Sequence, residues 1–199
     1  MCVICIKKKG VRMPSESEIK DMWERNPHGA GFMYARNGQV FIEKGFMSVN
    51  AFIEALANAG IKRNESLILH FRISTQGGIN REMCHPFPVE GDYKRLQETS
   101  TVSKIGIAHN GIIQRCTIAT AKYSDTAIFI HDYVTSLIRD GADIKNKALL
   151  SAIGALAPCN RFALLNGKGE ISLIGQFSNI DGLIYSNTYH IKNYFEWHK

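Results

Sequence analysis

Two Asn-Gly steps, Asn37-Gly38 and Asn166-Gly167, stand near opposite ends of the chain, each between short β-prone segments. Asn-Gly is the strongest short-range hairpin signal, because both central residues of a tight two-residue turn take positive φ. Residues 31–34 and 39–43 flank the first step, and 161–165 and 170–174 the second. Further strands are expected at the opening Met1-Cys2-Val3-Ile4-Cys5-Ile6 and over 67–73, 104–108 and 183–186. Between them lie helix signals. Ser15-Glu16-Ser17-Glu18 has capping-box spacing and predicts a short helix through Trp23. Ser48 is placed to cap a helix over 49–59 that stops at Gly60. Ser124 caps a predicted long helix over 125–139, with Ile128, Ile130/His131, Val134, Leu137 and Ile138 on its apolar face and Gly141 as its stop. A further helix is predicted over 148–156. Strands at both ends with helices inserted between them imply two packed sheets covered by helices, an α+β layered domain.

Length and composition narrow the function classes. The 199 residues, 45% hydrophobic and 21% charged, suit one soluble domain spanning 1–199, without linker or repeat. No apolar run reaches membrane-spanning length, so no membrane role is expected. Lys7-Lys8-Lys9 breaks the apolar opening too early for a secretory signal. Five cysteines, an odd number, suggest a reducing cytoplasm rather than a disulfide framework. The net charge of +6 is spread among acids without an arginine-aromatic stripe. It reads as a solvated basic surface, open to weak salt-sensitive contact with polyanions, rather than a nucleic-acid platform.

The chemistry concentrates at the chain start. Methionine aminopeptidase removes Met1 when the next side chain is small, and Cys2 then carries a thiol and a free α-amino group together. The thiolate is the attacking species of a group whose free pKa is about 8.5. An α-amino group of pKa about 7.7–8.0 can hold its proton near neutrality. Taken alone, position 2 equally suits a small buried hydrophobe. Four other segments are rich in small and polar residues: Asn26-Pro27-His28-Gly29-Ala30-Gly31, His70 to Gly78, His109-Asn110-Gly111 and Ser124-Asp125-Thr126. Arg72 offers a planar fork for a carboxylate. Asp125 offers an anion for an ammonium group. The Asn110 amide and the Gly111 N–H are two neutral donors for a developing oxyanion. Each also has a plain use, Asp125 as a first-turn acid and Asn110-Gly111 as a tight turn. His70, His85 and His109 read as structural or loop-supporting. A Cys2-x-x-Cys5 metal or redox pair is the weakest reading, since a strand sends those two side chains to opposite faces.

In this order, the N-terminal cysteine, His-Phe-Arg-x-x-Thr-x-Gly, His-Pro-Phe, His-Asn-Gly and Ser-Asp-Thr resemble the class II glutamine amidotransferase domains, which are N-terminal-nucleophile hydrolases. The glycine turn at 26–31 is similar to one that those domains carry before their second strand. The resemblance runs from Cys2 to about Ser186. It implies a four-layer αββα sandwich and hydrolysis of the glutamine side-chain amide. Carried over by position, Cys2 would be the nucleophile and its α-amino group the base. Asn110 and Gly111 would form the oxyanion hole. Arg72 would bind the α-carboxylate and Asp125 the α-amino group, with Thr75, Gly77 and Gly29 lining the pocket. No metal or cofactor is implied, glutamine is the small-molecule substrate, and a synthase partner would consume the ammonia. Two positions depart from the pattern: Ile73 stands where an aromatic is usual, and Gln76 where histidine often occurs. Two other readings remain, an N-terminal-cysteine amidase acting on other amides and a catalytically silent glutamine-sensing module.

Overall fold

The opening strand sets the layers. All five residues of β1 (Val3–Lys7) are buried, so both faces of the strand are covered. Successive side chains of a strand alternate between faces. Val3 and Cys5 join an apolar cluster with Ile19, Met22, Phe52 and Leu56, whereas Ile4 and Ile6 join another with Met33, Ile42, Ile68, Ala108, Ala163 and Leu165. The structure, a computed structural model, describes residues 1–74, 78–117, 122–138 and 143–191.

After β1 the chain forms α1 (Glu16–Arg25), β2 (Ala30–Arg36), β3 (Gln39–Phe46), α2 (Val49–Asn58), β4 (Leu67–Phe71), β5 (Phe87–Pro88), α3 (Tyr93–Gln97), β6 (Ser100–Ser103) and β7 (Ile105–Asn110). Then follow α4 (Asp125–Phe129), α5 (Thr135–Leu137), α6 (Lys147–Leu156), β8 (Arg161–Asn166), β9 (Ile171–Ile174), β10 (Ser178–Ile180) and β11 (Leu183–Tyr185). Among the described residues, one sheet of seven strands runs β10-β11-β1-β4-β2-β3-β6 and one of four runs β5-β7-β8-β9. The strand pairs are antiparallel. Helices α1 and α2 cover the outer face of the large sheet. The two sheets bury their inner faces against each other. On the far side, α4 and α6 pack onto the small sheet around Phe87, Ile107, Phe162 and Leu164. The order is therefore helix, sheet, sheet, helix, the four-layer αββα sandwich.

Local chemistry explains much of this. Ser15 and Glu18 close the expected capping box, with Glu18 N donating to Ser15 Oγ at 3.2 Å and Ser15 N to Glu18 Oε2 at 2.6 Å. Asn37 and Gly38 have φ of 53° and 78°, the signature of a type I′ hairpin. The second Asn-Gly step is built differently. Its turn spans 166–170, with Asn166 N donating to Glu170 O and the positive φ, 78°, falling on Gly169. Gly167 is needed for room: a Cβ there would lie 1.9 Å from the carbonyl oxygen of Gly38, because the two hairpin tips touch.

Some expectations are corrected. Ser48 precedes α2 but makes no side-chain capping bond. The long helix is interrupted: α4 passes into a wider, π-type turn over Ile130–Val134 before α5, and Ile138 leaves helical geometry at ψ 83°. Thr135, the first residue after that wider turn, donates from Oγ1 to His131 O at 2.8 Å, so that a β-branched hydroxyl competes for the helix's own acceptor. Arg139 and Gly141 lie outside the described residues. Two lysines depart from the solvated basic surface. Lys7 is 1% exposed and donates from Nζ to the carbonyls of Lys62, Arg63 and Glu65. Lys44 is 2% exposed, donates to the carbonyls of Glu82 and Leu96, and lies 3.7 Å from the centre of the Phe87 ring. Elements β5, α3, β6 and β10 carry too few residues for periodicity to reveal. Among the described residues, no helix is long and apolar enough to cross a membrane.

Candidate active site

Strand register gathers the chemistry at one end of the sandwich. Val3 pairs with Phe71, which sets Cys2 beside the segment that follows β4. Cys2 Sγ lies 3.4 Å from Ile73 N, which donates to it, and 3.5 Å from Ile73 O. The end of β7 and the start of α4 close the other side. Cys2, Arg72, Gly111 and Asp125, separated by up to 123 residues in sequence, line one small polar cleft of about 40 Å³ together with His85 and His109.

Burial pushes the Cys2 thiol up. The Ile73 N–H, the chain-terminal ammonium and the Arg72 guanidinium pull it down, but by less. The sulfur therefore rests as a thiol at neutral pH. Arg72 is 5% exposed and donates from Nη2 to Ser74 Oγ at 3.2 Å, while Ser74 Oγ donates to Gly78 O at 2.8 Å. Asp125 Oδ2 accepts from Ile113 N at 2.7 Å and Oδ1 from Thr126 N at 2.7 Å, so the carboxylate also fixes the loop after β7. Both charges of the expected clamp thus border the same cleft.

The other expected site residues are placed less directly. Gly29 is absent from the cleft lining; its carbonyl accepts from Arg72 N at 2.8 Å. It has φ +117°, and a Cβ there would come within 2.5 Å of Cys84 Sγ. Its part is to let two backbones close beside Arg72. Asn110 is buried at the end of β7, and its Nδ2 donates to Ser186 Oγ at 2.9 Å. Like Gly29 it is absent from the cleft lining, and its buried Oδ1 has no partner among the described residues. Gly111 lines the cleft with φ +151°, and a Cβ there would fall 2.0 Å from Asn160 Oδ1. Thr75, Gln76 and Gly77 lie outside the described residues.

Three buried histidines pack against one another at the site, and two of them, His85 and His109, also line the cleft. His70 Nε2 donates to His109 O at 3.0 Å, and His85 Nδ1 lies 3.1 Å from that carbonyl. Burial lowers all three, His70 to about 3, so they are neutral at physiological pH. Partners fix the His109 tautomer. Asn160 Nδ2 donates to Ile112 O and Pro158 O, which leaves Asn160 Oδ1 to accept from His109 Nε2–H at 2.7 Å. His109 Nδ1 then accepts from the Thr126 hydroxyl at 2.8 Å. The 111–113 turn is consequently pinned by Asn160 on one side and Asp125 on the other.

Sequence reasoning missed three of these groups: Asn160, Ser186 and Asn187. Asn187 Nδ2 donates to Cys2 O at 2.6 Å, and Ser186 Oγ accepts from both Ile4 N and Asn110 Nδ2. Their only signal was a polar pair or single residue next to a strand end. Cys5, by contrast, is sealed on the helix side of β1, and burial pushes its thiol up to about 12. Beside the cleft lies a wider chamber of about 550 Å³, which shares Cys2, Ile73, Gly111 and Ile112 with it.

No family model matches the sequence, and no curated protein matches it. Among solved structures, the chain is similar to glutamine phosphoribosylpyrophosphate (PRPP) amidotransferase from B. subtilis, complexed with ADP and GMP, at a TM-score of 0.56 and 14% identity. The likeness is one of fold. It places the four layers in the N-terminal-nucleophile hydrolase arrangement, covering 93% of this chain and 41% of that one. The chain therefore spans well under half of the protein it matches.

Proposed function

We propose that the protein acts as a glutamine amidohydrolase of the class II amidotransferase type, which releases ammonia through a Cys2 thioester. The observation that carries this reading is the convergence of Cys2, Arg72, Gly111 and Asp125 on one cleft. Removal of Met1 gives Cys2 its own α-amino group, which takes the thiol proton that burial would otherwise retain. The thiolate attacks the side-chain amide carbon. Gly111 N–H and the second Asn110 N–H face the oxyanion. Arg72 holds the α-carboxylate and Asp125 the α-ammonium, with Thr75 and Gly77 assigned to the pocket wall. The α-amino group returns its proton to the leaving nitrogen, and ammonia departs. Water then cleaves the γ-glutamyl thioester to glutamate and restores the thiol. In the cytoplasm, a synthase partner would consume the ammonia.

The test joins mass and turnover. Intact-mass measurement should show loss of Met1 and a single adduct with a glutamine-like diazoketone, and Cys2→Ala should abolish both the adduct and ammonia release. Retained turnover in Cys2→Ala rejects the nucleophile. Retention of Met1 with no turnover favours the silent sensing module.

A further inference from the structure

Ammonia needs almost no space to leave, yet a chamber of about 550 Å³ shares Cys2, Ile73, Gly111 and Ile112 with the cleft. That volume lies within the range of sites that enclose drug-sized ligands. Among the described residues its wall is more apolar than polar, with Ile112, Leu156 and Pro158 lining it beside the polar Gln114, Arg115 and Asn160. Ile112 is 47% exposed, an uncovered aliphatic side chain directly beside the nucleophile. Two features say which part of a substrate would enter. The charged groups Arg72 and Asp125 border the narrow cleft, so an amino-acid headgroup is directed there. Cys2 and Gly111 belong to both spaces, so a carbonyl under attack sits at their junction, with its nitrogen substituent toward the chamber. Met1 also lines the chamber, so its removal would widen this space and free the Cys2 amine in one event.

We infer that the protein hydrolyses N-substituted γ-glutamyl amides whose amine carries an apolar body, with that body seated in the chamber beside Cys2. This rests on the proposed Cys2 chemistry and specifies its substrate. The S–C bond forms as the amide C–N bond breaks, and the amine leaves with the proton held by the α-amino group. Water then adds to the thioester carbonyl, the C–S bond breaks, and glutamate and the free thiol result. The sum is amide plus water giving glutamate plus amine.

Release of glutamate from L-glutamine and from γ-glutamyl-n-hexylamide should be compared with Met1-free protein. The hexylamide is expected to show a kcat/KM at least about tenfold higher, roughly what burying two methylene groups supplies. Leu156→Trp, or Leu156→Phe if the first variant is insoluble, should remove that advantage while leaving glutamine turnover within about twofold. Hydrolysis of glutamine but not of the hexylamide overturns the chamber assignment and keeps the glutaminase reading, as does an equal loss on both substrates in the filled variants. Failure to hydrolyse either substrate overturns both.

Discussion

Replacing Asn160 by alanine tests whether the Gly111 turn is held from outside the cleft. The side chain is 7% exposed and makes three bonds: from His109 Nε2 at 2.7 Å, to Pro158 O at 2.9 Å and to Ile112 O at 3.2 Å. A neutral hydrogen bond contributes about 1 kcal/mol net, which gives about 3 kcal/mol for the set. Stranding the buried His109 N–H adds to that, and a water entering the vacated space offsets part of it. A loss of about 3 kcal/mol is a large share of the 5–15 kcal/mol typical of whole domains, so ~3 is measurable but survivable. With an m-value of about 2–3 kcal/mol/M, the urea midpoint should fall by about 1–1.5 M. Asn160→Asp separates the bonds: it keeps an acceptor for His109 but turns an acceptor toward two carbonyls, and should destabilise as much or more. In both variants glutamine kcat should fall more than KM changes, because Gly111 loses its rigid neighbour before the headgroup contacts are touched. A midpoint shift in Asn160→Ala below about 0.3 M, or an unaltered kcat, would refute the argument.

Three further outcomes are expected. Asn110→Ala removes the Ser186 bond and should lower glutamine kcat by about 10²–10³ if the amide serves the oxyanion, and a change confined to KM contradicts that role. Arg72→Ala should act mainly on KM, with Arg72→Lys restoring little because a point charge lacks the planar fork; an unchanged KM removes Arg72 from the clamp. Lys44 has a pKa lowered to about 7 by burial, against about 10.4 when unfolded, so between these values the unfolded chain binds more protons and stability rises with pH. The buried thiols, pushed up, oppose this only above about 8.5. Urea melts from pH 7 to 8.5 should therefore show a rise of up to about 2 kcal/mol that Lys44→Met abolishes, and an equal slope in the variant assigns it elsewhere.

What the sequence determined was local. A capping box such as Ser15–Glu18 and a turn such as Asn37-Gly38 close through bonds within a few residues, and residue type alone specifies them. The apolar opening announced a strand, and the resemblance carried by the ordered motifs pointed to the four layers and to Cys2, Arg72, Gly111 and Asp125; that both faces of β1 are covered came from the packing. Tertiary structure decided what depends on register between distant segments. Pairing of β1 with β11 sets Ser186 and Asn187 against Ile4 and Cys2, across 182 and 185 residues of chain. The same long-range packing buries Lys7 and Lys44 beneath carbonyls that no charge pattern predicts, and joins the Gly29 carbonyl to the Arg72 N–H across the sheet. Side-chain type and spacing encode hydrogen bonds that span one turn of chain. Which polar group meets which across two sheets is fixed only when apolar faces close and each buried donor must find the nearest acceptor.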